Sequence, residues 1–263
     1  TNFRRVPWGL LLRVFHSSIF SRSGVPGNAG AIQALSGQFP RFGSRRIRVL
    51  LGCEGIVVGR DRCASRWAQA GLQVPRKRRR RRVAGSRSRP HASAVRNSVW
   101  CYDFVFDACT NGQQVKCLTV VDEYTRECLA IDVAGSIRSR RVIEVLSRLI
   151  SVHGAPRYLR SDNGPEFVST ALLKWAVQEQ IETALIDPGK PWQNSTNESF
   201  NGKFRDECLA MEWFRNRIEA KIVIEDWRTH CNEVRPHSSL QYQTPAEFRR
   251  ASERSSTTGA AIL

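Results

Sequence analysis

Acids are scarce at the start of this 263-residue chain. Residues 1 to 98 hold two, Glu54 and Asp61, against 21 Lys and Arg. The local charge is about +19, the balance of a polyanion binder and not of an ordinary soluble domain. None of the eight cysteines forms a CxxC pair, so there is no paired-thiol motif; several, such as Cys117 and Cys128, sit in apolar runs where a free thiol acts as a small hydrophobe. Reduced cysteines in a cytosolic protein are the expectation. No stretch approaches the ~20 apolar residues of a membrane span. Trp8 to Phe20 is apolar with basic residues between, but it has no Met start and no convincing cleavage site, so secretion is not expected.

The positive charge that is present is concentrated. The whole chain carries +17, so residues 99 to 263 are close to neutral. Arg76 to Arg82 is an unbroken basic run. It repels itself and cannot pack, so it reads as a solvated linker, an arm that tracks phosphates, or both.

Five segments are expected. Residues 1–30 show no clean period and read as poorly ordered, and 31–74 as a small helical, helix-turn-helix-like unit. In it, Ser44 to Glu54 sets Ile47, Leu50 and Leu51 on one face, with Gly55 closing the helix. Arg60 to Ala70 follows, closed by Gly71, with Arg62 and Arg66 four apart. A generic helical hairpin fits the same pattern. Residues 75–98 are the basic linker, 99–250 the core and 251–263 a frayed tail.

From Val99 the pattern becomes α/β. Val99 to Asp107 alternates, with Trp100, Tyr102, Phe104 and Phe106 on one face and Cys101, Asp103, Val105 and Asp107 on the other. Asn111-Gly112 signals a hairpin turn. Val115 to Val121 and Cys128 to Val133 read as strands, Arg140 to Val152 as a helix, Arg157 to Ser161 as a fourth strand, Ser169 to Gln180 as a helix and Ile181 to Ile186 as a fifth strand. Thr196 to Glu207 and Arg217 to Cys231 read as helices. Thr244-Pro245-Ala246-Glu247 reads as a capping box opening a short last helix. Hairpin strands followed by crossover strands predict a five-stranded mixed sheet with helices on both faces, the outline of a ribonuclease H-like fold.

Three acids are the candidate site. Asp103 lies mid-strand between aromatic residues, where an unpaired carboxylate is costly to bury. Asp162 ends the fourth strand, where sites collect in open α/β sheets, and Asn163-Gly164-Pro165 turns the chain closely around it. Glu198 lies 35 intervening residues further on, with Asn201, Gly202 and Arg205 on its helical face. Such a trio suits two hard divalent cations in phosphoryl transfer. Capping and surface acids give the same residues without a metal.

The runs Trp100-Cys101-Tyr102-Asp103-Phe104-Val105, Thr119-Val120-Val121-Asp122-Glu123-Tyr124-Thr125-Arg126, Ser161-Asp162-Asn163-Gly164-Pro165-Glu166-Phe167, Pro188-Gly189-Lys190-Pro191, Gln193-Asn194, Glu198-Ser199-Phe200-Asn201-Gly202, Arg205-Asp206-Glu207-Cys208 and Arg235-Pro236-His237-Ser238-Ser239-Leu240 resemble successive motifs of bacterial insertion-sequence transposases. The likeness is to insertion-sequence family three, second-frame product, whose core is similar to retroviral integrase. It spans about Trp100 to Phe248. More weakly, Phe42-Gly43-Ser44-Arg45-Arg46-Ile47 through Gly71-Leu72 resembles the family's helix-turn-helix. The sequence departs from the family at Tyr102, where Met is frequent, and at Ser44, where an aromatic residue is common; the retroviral His/His/Cys/Cys zinc module is absent.

The resemblance implies a DNA transposase with an Asp-Asp-Glu site at Asp103, Asp162 and Glu198, holding two Mg²⁺ or Mn²⁺ ions. Asn163, Gly164, Glu166 and Asn201 would shape the site. Arg62, Arg66, Arg78, Arg79, Arg80, Lys190, Lys203 and Arg205 are the candidate phosphate contacts, with solvated basic faces as the alternative. Implied partners are element and target DNA, further copies of the chain and an upstream-frame DNA-binding protein, in a bacterial, cytoplasmic, nucleoid-associated setting with no membrane. A non-catalytic DNA-binding remnant and a ribonuclease H-type nuclease without strand joining are the alternative readings.

Overall fold

The computed structural model describes residues 28–74, 93–162, 164, 166–185 and 195–260. The chain divides into two units, one of residues 1–85 with 236–243 and one of residues 86–235 with 244–263.

In the first unit, three helices surround one apolar core: α1 (Asn28–Gln38), α2 (Ser44–Cys53) and α3 (Arg60–Gln69). The expected helix pair is α2 and α3. Gly55 and Gly71 follow their ends at φ +77° and +67°, the left-handed backbone that glycine adopts without strain. The core joins Ile47, Leu50 and Leu51 of α2 to Cys63 of α3 and to Ala31, Ile32 and Leu35 of α1. Helix α1 differs from expectation, because it begins inside the segment expected to be poorly ordered. Gly30 and Gly37 depress its helix propensity, and burial of Ala31, Ile32 and Leu35 outweighs them.

The second unit is built on one sheet. Its strands are β1 (Val99–Ala108), β2 (Gln114–Asp122), β3 (Cys128–Ala134), β4 (Tyr158–Ser161) and β5 (Glu182–Leu185), ordered β3-β2-β1-β4-β5. Strands β1, β2 and β3 form an antiparallel meander. The β1–β2 turn carries Gly112 at φ +80°, as Asn111-Gly112 foretold. Strand β4 lies parallel to β1, and β5 parallel to β4. This is the five-stranded mixed sheet of the ribonuclease H-like fold.

Alternation along β1 decides what covers each face. Trp100 and Tyr102, with Leu118 and Val120 of β2, pack on α4 (Ser139–His153) through Val142, Val145, Leu146 and Leu149, and on α5 (Thr170–Gln178) through Leu172, Trp175 and Ala176. Ser169 caps α5, its side chain accepting from Leu172 N–H. Cys101, Asp103 and Val105 face the other way. That side is covered by α6 (Ser195–Phe204), which packs on β1, and by α7 (Arg217–Glu233), which packs on β2 and β3. Phe200 and Phe204 of α6 meet Trp227 of α7, ring centroids 5.7 and 5.0 Å apart. A π turn, Arg205–Leu209, ends α6.

Helix α8 (Pro245–Ala260) opens with the expected capping box: Thr244 N–H donates to Glu247 Oε2 at 2.8 Å, and Glu247 N–H to Thr244 Oγ1 at 3.2 Å. It continues to Ala260, through residues expected as a frayed tail. Arg249 pairs with Glu253 one turn on, and Arg96 reaches Glu253 at 2.7 Å, which anchors the extra turns. None of the eight cysteines is in a disulfide, and seven are buried. No described helix is long and apolar enough to cross a membrane.

Candidate active site

Asp103 sits half-buried in the middle of β1, directly opposite Thr119 of β2. Its carboxylate accepts from Phe104 N–H at 2.7 Å and from Asn201 Nδ2 at 2.9 Å. The Thr119 hydroxyl is 3.1 Å from Asn201 Oδ1 and 3.2 Å from the Asp103 carbonyl. Strand pairing thus orients Thr119, Thr119 orients the Asn201 amide, and the amide fixes Asp103. Burial first, and then the charge of Asp162, push the Asp103 carboxyl up to about 6 against the two hydrogen bonds and the Arg205 charge.

Asp162 follows the last residue of β4 and is exposed. Its Oδ1 accepts from Gly164 N–H at 3.0 Å. A Cβ at Gly164 would lie 3.1 Å from that oxygen and 3.3 Å from the Phe167 ring, so this position favours glycine by close approach. The Phe167 ring stacks on Phe104 and meets Tyr102 edge-on, both at 4.7 Å, which pins the far end of the loop to β1. Tyr102 also shares a hydrogen bond with Ser161, joining β1 to β4; burial foremost raises its phenol to about 12.

Glu198 is exposed in the first turn of α6. The helix is held to β1 by two asparagines on its inner side. Asn197 Nδ2 donates to the Tyr102 carbonyl at 3.0 Å, and Asn201, one turn on, reaches Asp103. The structure therefore brings Asp103 and Asp162 within electrostatic reach and docks the Glu198 helix on the Asp103 strand. Among the described residues no three His, Cys, Asp or Glu side chains gather into a group that could hold a metal. The donor set fits a hard cation all the same: Asp103 and Asp162 offer carboxylate oxygens only, and their charges already oppose one another.

Of the other predicted residues, Glu166 points to a different partner. It binds Lys116 Nζ at 2.5 Å, a bond that lowers its carboxyl below the usual range. Lys116 in turn lies 3.9 Å from the Phe104 ring centroid and donates to the Ile137 carbonyl. Arg205 is exposed beside Asp103, its Nη1 3.4 Å from the Phe106 carbonyl, and Lys203 is half-buried on α6. On α3, Arg62 is exposed and Arg66 half-buried. Asn163, Lys190 and Arg78, Arg79 and Arg80 lie outside the described residues. Sequence reasoning missed Thr119, Lys116 and Asn197. Asn197 had a signal, the four-residue spacing to Asn201; the other two follow only from the hairpin register.

A five-stranded sheet of this order, flanked by helices on both faces, is the architecture of an integrase-type core. Integrase core domain models match residues 94–191 and 179–245. The insertion element IS407 31.7 kDa protein of Burkholderia multivorans is 44% identical over 220 residues, which cover 84% of this chain and 79% of that protein. The insertion element IS476 39.2 kDa protein of Xanthomonas euvesicatoria is 46% identical over 208 residues, covering 79% of this chain; the chain spans 60% of that protein's length. Among solved structures, the simian T-cell lymphotropic virus intasome in complex with PP2A regulatory subunit B56 gamma matches with a TM-score of 0.50 at 15% identity, over 83% of this chain and 74% of that one, a likeness of fold. The chain belongs to the bacterial insertion-element transposases with an integrase core domain.

Proposed function

We propose that this chain catalyses end cleavage and strand transfer of an insertion sequence. The observation that supports this most is the Asp103–Asp162 pair: one acid mid-strand, one past the end of the neighbouring parallel strand, with the Glu198 helix hydrogen-bonded to the first. Asp103, Asp162 and Glu198 would hold Mg²⁺ or Mn²⁺, two ions in all, since all-oxygen ligands suit these metals. When bound, the ions supply charge to activate the attacking oxygen and stabilise the leaving one.

Two in-line displacements follow. In the first, water attacks the phosphorus at an element end; a new P–O bond forms, the P–O3′ bond breaks, and a 3′ hydroxyl is released. In the second, that hydroxyl attacks a target phosphodiester, joining element to target and freeing a target 3′ hydroxyl. The chain's own residues do the positioning. The Asn201 amide and Phe104 N–H orient Asp103, Gly164 N–H orients Asp162, and Arg205, Lys203, Lys190 and the basic run supply phosphate contacts. Arg62 and Arg66 give α3 a basic face for duplex DNA. DNA is the substrate; self-association and an upstream-frame partner complete the proposed assembly, in a bacterial cytoplasm at the nucleoid.

The test is a Mg²⁺- or Mn²⁺-dependent assay on DNA carrying the element's terminal repeats, scoring cut and joined products separately. Both products are expected. Cut product alone would favour a ribonuclease H-type nuclease, and DNA binding with neither product would favour a non-catalytic remnant.

A further inference from the structure

Each of the three acids follows, by two positions, a residue that meets one and the same buried carboxylate. That carboxylate is Glu123, in the β2–β3 turn and 5% exposed. Cys101, two before Asp103, sets Sγ 3.8 Å from Glu123 Oε2. Arg160, two before Asp162 and 2% exposed, sets Nη1 2.5 Å from the same oxygen. Thr196, two before Glu198, donates its hydroxyl to Glu123 Oε1 at 3.0 Å. Arg126 Nη1, 2.7 Å from the Thr196 oxygen, leaves that hydroxyl proton directed at Glu123.

We propose that Glu123 is a positioning residue for the three acids, fixing the register of β1, β4 and α6 relative to one another. The reading rests on the proposed catalytic role of Asp103, Asp162 and Glu198.

The geometry favours this over simple stabilisation. A buried ion pair contributes little net stability, because desolvation offsets its attraction, whereas its directional bonds fix geometry. Along β1, residues two apart share a face, so holding Cys101 sets the level of Asp103. On β4, Arg160 lies inside the strand and Asp162 just past it, so the ion pair fixes where the strand ends. On α6, Thr196 is turned inward and Glu198 lies roughly 200° round the helix, so the Thr196 bond sets both the height and the rotation of the helix while leaving Glu198 exposed. Strand pairing holds β1 to β4, and packing and the asparagine bonds hold α6 to β1; the hub adds directional bonds from all three elements to one point, against the repulsion of the like-charged groups they carry.

The experiment uses the full chain and Mn²⁺ as probe. Mn²⁺ affinity is read by electron paramagnetic resonance of the free ion, and nicking by conversion of supercoiled plasmid. Thr196→Val exchanges the hydroxyl for a methyl group, which takes a donor from Glu123 and an acceptor from Arg126. It should weaken Mn²⁺ binding and slow nicking by about tenfold each, the usual effect of losing a group that orients metal ligands. Thr196→Ser should restore both. Thr125→Val is the control: this buried hydroxyl bonds Asp122 at 3.0 Å in the same turn, so its loss should lower the melting temperature and leave Mn²⁺ affinity unchanged. Cys101→Ala is the second variant and should weaken Mn²⁺ binding about threefold, the smaller effect of a thiol donor; it decides alone if Thr196→Val does not fold. Wild-type Mn²⁺ affinity and nicking in the folded variants would overturn the role of Glu123 and leave the catalytic reading intact. A wild-type chain that neither binds Mn²⁺ nor nicks would overturn the catalytic reading itself, and this inference with it.

Discussion

Asn201 Nδ2 donates to Asp103 Oδ2 over 2.9 Å, a bond that ties the first acid itself to the helix of the third. It also helps to explain how a mid-strand carboxylate is tolerated: beside the Phe104 N–H, the carboxylate accepts from an amide already oriented by Thr119.

Asn201→Leu should therefore be felt twice. Loss of the donor leaves a half-buried carboxylate short of a partner, costing about 1–3 kcal/mol of stability, and it frees Asp103 to rotate, slowing DNA cleavage. Asn201→Asp should be worse, since it adds a like charge beside Asp103. Urea denaturation and cleavage rates on the same preparations check both; equal activity in all three proteins would show that the bond has no functional part.

Glu198→Gln, Asp103→Asn and Asp162→Asn should each abolish cutting and joining together while sparing folding and DNA binding. In the proposed mechanism one metal site serves both displacements, so neither step should survive alone. Glu166→Gln should lose less, because Glu166 is engaged by Lys116. If Glu198→Gln still joins strands, the assignment of Glu198 is wrong; Glu207, the next glutamate along the chain, would not replace it, because Arg235 holds it by two bonds, Nε to Oε2 at 2.5 Å and Nη2 to Oε1 at 2.6 Å.

How much of this was legible in the sequence follows from the range of each signal. The β1 alternation and the hairpin turn are local, and both were readable. So were Thr244 and the glycines after α2 and α3, since caps announce themselves within four residues. Helix α1 was not, because two glycines mask a short apolar stripe. Asp103 stood out as an acid among aromatic residues. Its partner Thr119 lies 16 positions away and Asn201 lies 98 away, beyond any periodicity. The Glu123 contacts span 22, 37 and 73 positions; only folding reveals that they converge.

Replacing Arg78 to Arg82 with Ser should flatten the salt dependence of DNA binding. Each phosphate neutralised adds about 0.9 to the slope of log affinity against log salt, so losing several contacts should be visible across 50–200 mM salt. An unchanged slope would make the run a spacer only.

Arg235→Met should destabilise the core by about 3–5 kcal/mol, because it strands the Glu207 carboxylate in a buried setting. Arg235 and Glu207 are 1% and 5% exposed, so solvent cannot compensate. The double variant Glu207→Gln with Arg235→Met should recover much of the loss. A double variant no more stable than the single one would show that the pair is not coupled in this way.

His230 sets an acid limit on stability. It is buried on α7, and burial first, then the Arg235 charge, depress its imidazole to about 4, with Glu207 opposing. In the unfolded chain it titrates at its ordinary value near 6.5. Between those values the unfolded state takes up a proton that the folded state refuses, so unfolding is favoured as pH falls. The stability is fully present above about pH 6.5, declines through pH 5 and levels off below about 4, a span of roughly 3 kcal/mol from this residue. Asp103, raised to about 6, acts in the opposite sense, so the wild-type profile alone is ambiguous. The difference between wild type and His230→Gln isolates the imidazole. Urea midpoints at pH 7 and pH 5 should fall apart in wild type by clearly more than in His230→Gln. Parallel shifts in the two proteins would mean that His230 takes its proton equally well folded and unfolded.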